Sequence, residues 1–188
     1  MNIYIALLRG INVGTKNRMK MSELKTVLEG LGLEWVQTYI QSGNVLFCSD
    51  EAEAAVHERI TTGLQRAFGF PIGVVLRTAG ELEEILSCCP FSAQDIAEAE
   101  AASDTESLYV LLWDGMPDEG KAARVQVPQE EQSRFCIMGR NVYLLFHESI
   151  RASKLAPRLE KLCATATVRN WNTLTQMHVL AQKMKREG

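Results

Sequence analysis

The run Trp35-Val36-Gln37-Thr38-Tyr39-Ile40-Gln41-Ser42-Gly43-Asn44-Val45-Leu46-Phe47-Cys48 decides how the first half of the chain folds. Trp35 to Ile40 and Asn44 to Cys48 are strand-like, and Gln41-Ser42-Gly43 between them has the composition of a tight hairpin connection, so the two strands pair antiparallel. On the N-terminal side, Leu24, Val27, Leu28 and Leu31 recur at helical spacing, with Ser22 as N-cap and Gly32 as stop. Ahead of that helix, Ile3 to Leu8 is a short apolar run, which reads as a strand buried on both faces or central in a sheet. On the C-terminal side, Asp50 and Glu53 offer a capped start, and Val56, Ile60, Leu64 and Ala67 form the stripe of a second helix ending near Gly69. Pro71 admits a strand over Ile72 to Leu76, and Thr78-x-x-Glu81 is a capping box for a short helix carrying Leu82, Ile85 and Leu86. The order is βαββαβ, the split unit of ferredoxin-like folds, with two helices on one face of a four-stranded antiparallel sheet.

The second half runs the same course without obvious residue identity, so the repeat is one of architecture. Leu108 to Trp113 reads as a strand, and Met116 to Ala123 as a loop with a short helix. Val125 to Val127 is a candidate third strand, and Phe135 to Met138 with Asn141 to Phe146 form a hairpin around Gly139-Arg140. Pro157 suits the first turn of a helix that turns Leu159, Leu162 and Cys163 inward, and Thr165 to Val168 can close the sheet. Thr173-x-x-Gln176 is a capping box opening a final helix that buries Met177, Leu180, Ala181 and Met184. The expected organisation is an α+β protein of two tandem ferredoxin-like domains: residues 1–90, a junction over 91–105, and residues 106–188 including the terminal helix.

With 188 residues, 46% hydrophobic and 23% charged, the chain has the make-up of an ordinary globular protein. Ile3 to Leu8 is too short for a signal-peptide core or a membrane span, which sets the expectation of a cytoplasmic protein with no membrane partner. Five cysteines, odd in number and without C-x-x-C spacing, read as reduced, buried thiols. His57, His147 and His178 are scattered, so neither a metal nor a cofactor is expected.

The net charge of -3 conceals segments of opposite sign. Met1 to Ser22 carries four bases and no acid, Ile150 to Gly188 eight bases against two acids, and Cys89 to Glu131 ten acids against two bases. The basic segments either face one anionic ligand or are solvated faces that never meet. Within the first of them lies Arg9-Gly10-Ile11-Asn12-Val13-Gly14-Thr15-Lys16-Asn17, where an apolar strand ends in a loop of glycine, amide and base. Gly10 and Gly14 could cradle an anion with their amides, helped by Asn12, Lys16 and Asn17, or could merely permit a sharp turn. The glycine spacing is neither that of a P-loop nor G-x-G-x-x-G. Ser42-Gly43-Asn44 is accounted for by hairpin chemistry, and Ser153-Lys154 lacks the helical spacing of a serine-lysine pair, leaving Lys154 as an anion contact. Arg169-Asn170-Trp171-Asn172 could stack on a base and meet a phosphate, or could pack beneath the last helix. Tyr4 stands where an RNA-recognition motif carries an aromatic, yet Asn44 to Cys48 lacks the matching pattern and the chain is acidic overall, so nucleic acid is not the expected partner.

Four of these stretches together, Leu7 to Gly14 followed by Lys16-Asn17, Tyr39 to Val45, Ser153-Lys154-Leu155, and Arg169 to Thr173, resemble the signatures of the bacterial family called domain of unknown function 1697. The resemblance implies two ferredoxin-like domains and almost nothing about activity. The expectation for function is therefore a protein that binds a small anionic or phosphate-bearing ligand in a cleft between its domains. Its contacts would come from Arg9, Gly10, Asn12, Gly14, Lys16, Asn17, Ser42, Asn44, Lys154, Arg169, Asn170, Trp171 and Asn172. An enzyme acting on such a ligand, a transferase or hydrolase, and a protein-interaction module are the alternatives; oligomeric state is not written in the residues.

Overall fold

The computed structural model describes residues 1–187. Its chain divides into two compact units, Met1–Glu84 together with the residues from Thr175 on, and Ile85–Leu174. By compactness the divisions fall between Glu84 and Ile85 and between Leu174 and Thr175.

The first unit contains β1 (Asn2–Arg9), α1 (Met21–Gly30), β2 (Glu34–Tyr39), β3 (Asn44–Ser49), α2 (Glu53–Phe68) and β4 (Gly73–Thr78). The strands form one antiparallel sheet in the order β2-β3-β1-β4. Strand alternation sends Tyr4, Ala6 and Leu8 into a core shared with Leu24 and Leu28 of α1 and Val56, Ile60 and Leu64 of α2. The intervening Ile5 and Leu7 are equally buried on the opposite face, which is why β1 reads as an unbroken apolar run. At the end of β4, the Thr78 amide donates to Glu81 Oε2 at 2.8 Å and the Glu81 amide donates back to Thr78 Oγ1 at 3.2 Å. That reciprocal cap starts α3 (Ala79–Ser87) as its sequence implies.

Two helix starts differ from their sequence signals. The cap of α1 is Lys20, extended and without a side-chain bond, because Met19 just before it is anchored to the preceding loop and sets where the chain turns. Ser22 lies inside the first turn, where its carbonyl accepts from Thr26 Oγ1 at 3.1 Å. Likewise α2 is capped at Ala52, and Asp50 instead pairs with the terminal ammonium of Met1 at 2.9 Å.

The β2-β3 ladder carries a bulge. Glu34 stands opposite Cys48 and Gln37 opposite Leu46, so Trp35 and Val36 together face the single residue Phe47. Val36 takes the core position, and Trp35 has the left-handed φ of +55°. A bulky side chain in that region costs of order 1–3 kcal/mol.

The second unit contains β5 (Leu108–Trp113), β6 (Ser133–Met138), β7 (Asn141–Phe146) and β8 (Ala166–Asn170), in the order β6-β7-β5-β8. It is the same permutation as in the first unit, with α4 (Ala93–Ala101) ahead of it. The helix between β5 and β6 is reduced to α5 (Glu119–Ala122), and α6 (Leu155–Glu160) precedes β8. Leu111, Trp113, Leu144, Phe146, Leu155 and Leu159 make its core, where the buried Trp113 indole donates from Nε1 to the Leu159 carbonyl at 3.0 Å. Val125 to Val127 is not a strand. Its backbone turns back on α5, the Val125 amide donating to the Ala122 carbonyl at 3.2 Å, and its valines pack on the core from a loop.

The terminal helix α7 (Trp171–Glu187) follows β8 directly and opens before the expected Thr173 box. Asn170 caps it, its Oδ1 accepting from the Thr173 amide at 2.8 Å. Met177, Ala181 and Met184 are buried as their spacing requires. Among the described residues no helix is long and apolar enough to cross a membrane.

Helix α4 supplies a pH-dependent lock. Asp95 accepts from Ser92 Oγ at 2.6 Å and from the Ser92 amide at 2.9 Å, and it pairs with Arg134 of β6, whose guanidinium carbon lies 5.2 Å from the centre of the Phe91 ring. The Ser92 side-chain bond first, then the Ser92 amide and Arg134, hold its carboxyl down at about 2. A depressed folded value stabilises the fold above the ordinary aspartate pKa of about 4, and that stabilisation is lost as pH falls from there through about 2. Thermal melts of the wild type and Asp95→Asn between these limits should converge at the acid end, the variant showing the shallower pH dependence.

A second expectation concerns the β2-β3 turn. A Cβ on Gly43, whose φ is +72°, would lie 2.6 Å from Ile11 Cδ1 and 2.8 Å from Leu8 Cβ, whereas one on Gly139 in the β6-β7 turn, φ +60°, meets open space. Urea unfolding should therefore show Gly139→Ala costing roughly 1–2 kcal/mol for the backbone alone and Gly43→Ala about 2–4 kcal/mol. Equal losses would mean that the turn yields without strain.

Candidate functional site

Between β1 and α1 the chain makes a looped excursion held by two asparagines. Asn12 and Asn17 both sit at left-handed φ, +51° and +52°, a region asparagine tolerates better than other side-chain-bearing residues. Asn12 Nδ2 donates to the Met19 carbonyl at 3.1 Å and to the Gln41 carbonyl at 2.9 Å, while its Oδ1 accepts from the Met19 amide at 2.8 Å. Asn17 Nδ2 donates to the Gly10 carbonyl at 2.7 Å, and the Asn17 carbonyl accepts from the Asn12 amide at 2.9 Å. Val13 to Lys16 closes the tip as a tight turn, the Lys16 amide donating to the Val13 carbonyl at 3.1 Å.

The β2-β3 turn is the other wall of this construction. The Leu8 amide donates to the Gly43 carbonyl at 2.8 Å, and Ile11, 6% exposed, fills the space that only glycine leaves at position 43. Asn44 is fully buried, its Nδ2 donating to the Tyr39 carbonyl at 3.2 Å and to Ser42 Oγ at 2.8 Å. Two of the four sequence motifs, separated by a helix and a strand, therefore form one folded object. Asn12, Asn17, Ser42 and Asn44, read from sequence as ligand donors, are its internal fastenings.

What this object leaves open is a cavity of about 590 Å³ lined by Asn12, Gly14, Arg18, Met19, Lys20, Glu23 and Gln41. Arg18 and Lys20 are exposed and bring two positive charges to it, and the first turn of α1 adjoins it without a side-chain cap. The one acid, Glu23, lies 3.6 Å from the Lys20 ammonium, both groups being more than half exposed. Arg18, Lys20 and Glu23 were not among the expected site residues. Two of them belong to the basic first segment, but only the folded loop brings them to one cavity. Arg9, Gly10 and Lys16 lie on the same excursion with exposed positions.

The expected contacts of the second unit are differently disposed. Glu131 reaches the start of α6, where its Oε2 accepts from Ser153 Oγ at 3.0 Å and its Oε1 accepts from the Leu155 amide at 3.2 Å and from the Lys154 amide. Ser153 Oγ also accepts from the Leu155 and Ala156 amides at 3.0 and 3.2 Å. Ser153-Lys154-Leu155 is thus a helix start already neutralised by a carboxylate, and the Lys154 ammonium lies 3.7 Å from Glu130. Arg169 turns inward: Nη1 donates to Thr167 Oγ1 at 2.6 Å and to the Val168 carbonyl at 2.9 Å, and burial lowers its pKa to about 10. Asn170 caps α7 and donates from Nδ2 to Glu106 Oε1 at 2.9 Å, Trp171 is half-buried in the first turn, and Asn172 is exposed. Here too the motif residues chiefly build local structure.

The three histidines are differently placed: His178 Nδ1 is buried without a hydrogen-bond partner among the described residues, and the other two bond to backbone. His57 Nε2 donates to the Val74 carbonyl at 2.9 Å and His147 Nδ1 to the Gln132 carbonyl at 3.0 Å. All five cysteines are free thiols as expected, but only Cys48 is fully buried, Cys89, Cys136 and Cys163 are partly so, and Cys88 is exposed. Burial raises the pKa of Cys48, Cys89 and Cys163, which disfavours their thiolates.

Because Asn12 joins three backbone groups, Asn12→Ala should cost about 2–3 kcal/mol in urea unfolding by leaving the buried Met19 amide without its acceptor. Asn12→Asp keeps that acceptor but loses the two donors, and should also loosen residues 12–19 in hydrogen exchange. A loss below about 0.5 kcal/mol in both variants would remove Asn12 from its fastening role.

Comparison with known proteins bears on the fold and the family. The chain is 27% identical to the conserved bacterial protein SP0830 from Streptococcus pneumoniae, whose solved structure superposes with a TM-score of 0.75 over 97% of this chain and 99% of that one. No curated protein matches. The model of the family described as "Protein of unknown function (DUF1697)" matches residues 1–143, which include the loop and the β2-β3 turn but end before Ser153 and Arg169. With more than half its length in that match, the chain belongs to the DUF1697 family of uncharacterised bacterial proteins.

Proposed function

We propose that the protein binds a small anionic, phosphate-bearing ligand in the cavity between the Asn12–Lys20 loop and the start of α1. The observation that carries this reading is the lining: Arg18 and Lys20 converge on about 590 Å³ beside helix amides that no side chain caps. Such a volume suits a small molecule, and uncapped first-turn amides favour negative charge. The frame around the bases is held by Asn12 and Gly43, so the cations are presented from a fixed loop. The Lys20–Glu23 pair, exposed on both sides, holds Lys20 only weakly and yields to a ligand phosphate. The lining residues offer donors and one carboxylate, a composition suited to binding rather than to nucleophilic chemistry.

Calorimetric titration with inorganic phosphate, pyrophosphate, nucleoside mono-, di- and triphosphates and sugar phosphates tests the reading. At least one phosphate-bearing compound should bind with an affinity that falls with added salt, and its neutral parent should not. Replacing both Arg18 and Lys20 by alanine should weaken that binding by roughly tenfold or more, about 1.4 kcal/mol. Both side chains are exposed, so the variant keeps its fold. If no phosphate compound binds the wild type, or the double variant binds equally well, the proposal fails.

A further inference from the structure

The bulge in β2 has a partner feature in the same unit. A second cavity of about 540 Å³ is lined by Met1, Ile3, Glu34, Trp35, Cys48, Met184 and Lys185. Its floor is a row across three strands on the face away from the α1-α2 core, since Glu34 pairs with Cys48 and Cys48 with Ile3 in the ladder. Met184 and Lys185 come from the last turns of α7. In a regular strand the neighbours Glu34 and Trp35 would point to opposite faces. Here both line one cavity, because the extra residue of the bulge and the left-handed backbone of Trp35 turn the indole to the side that Glu34 already occupies. Strained backbone that places a large aromatic, 45% exposed, against an open cavity is costly unless the aromatic has something to meet.

The wall and the rim have different chemistry. Met1, Ile3, Trp35, Cys48 and Met184 present apolar and sulfur-bearing side chains, suited to an apolar or aromatic group. The rim carries one charge of each sign, Glu34 and Lys185, and neither is engaged in an ion pair among the described residues. The terminal ammonium of Met1 is already held by Asp50. A carboxylate and an ammonium that make no ion pair among the described residues, set over an apolar wall, are complementary to a zwitterion with an apolar side chain.

We propose that this cavity is a binding site for a free apolar α-amino acid, its ammonium on Glu34, its carboxylate on Lys185 and its side chain between Trp35 and Met184. The site shares no lining residue with the loop cavity and does not rest on the phosphate reading.

The test titrates the full chain with L-phenylalanine, L-methionine and L-leucine, following indole fluorescence and ligand-observed NMR. Phenethylamine, which lacks the carboxylate, phenylacetate, which lacks the ammonium, and glycine, which lacks the side chain, serve as comparisons. At least one of the three amino acids should bind saturably, at least tenfold tighter than each truncated compound. Glu34→Gln should weaken the amino acid about tenfold while leaving phenylacetate unchanged, and Lys185→Gln should do the same while leaving phenethylamine unchanged. Both positions are exposed, and Trp35→Phe, which retains an aromatic, should preserve ligand-observed binding. Replacing Arg18 and Lys20 by alanine should have no effect here. The proposal is overturned if no amino acid binds saturably at millimolar concentration, or if the truncated compounds bind as well as the zwitterion.

Discussion

Gly43 holds a hydrogen where any side chain would collide with Leu8 and Ile11, and much of the first unit depends on that close approach. The Leu8 amide reaches the Gly43 carbonyl, which fixes the β2-β3 turn against the end of β1. With the turn so placed, the Gln41 carbonyl stands where Asn12 can grip it together with both backbone groups of Met19. Met19 then sets the point from which α1 departs. A steric condition at one glycine is thereby transmitted through hydrogen bonds to the loop, the helix start and the cavity between them.

The second unit solves the same topological problem with other means. Its permutation of strands is identical, yet the helix between its first two strands is four residues long and the core is closed by the Trp113 indole bonded to the end of α6. Glu131 neutralises the start of that helix from a distant loop, a role that capping residues within the helix play elsewhere. Fold identity here resides in the alternation of apolar strand positions and in the pairing order, and the connections are free to differ.

The basic character of the first segment acquires a location only through this framework. Arg18 and Lys20 reach a cavity, while Arg169, one of the bases read from sequence as a candidate phosphate contact, is turned inward and held by Thr167 and a carbonyl. Both of those partners lie on β8 itself, so the guanidinium braces its own strand. The bulge at Trp35 works in the opposite sense, since it turns an aromatic outward that a regular strand would have buried.

The elements were legible because their signals are local. Short apolar runs bounded by turn residues mark the strands, a 3.6-residue period marks α1 and α2, and the Thr78–Glu81 box marks the start of α3 without reference to anything distant. The strand expected at Val125 to Val127 and the starts of α1 and α7 misled because a valine pair or a Ser or Thr beside an acid or amide suits more than one setting, and hydrogen bonds to Ala122, Asn12 and Asn170, three to seven residues away, chose among them. Four family motifs were visible in the sequence, but the partners of Asn12, Asn17, Asn44 and Glu131 were not, since a hydrogen bond spanning up to 29 residues leaves no periodic trace. The sequence by itself determined the order of strands and helices and hence the fold class. Only the tertiary structure decided which polar residues hold the chain together and which face a cavity, because that division depends on where backbone groups distant in sequence come to lie.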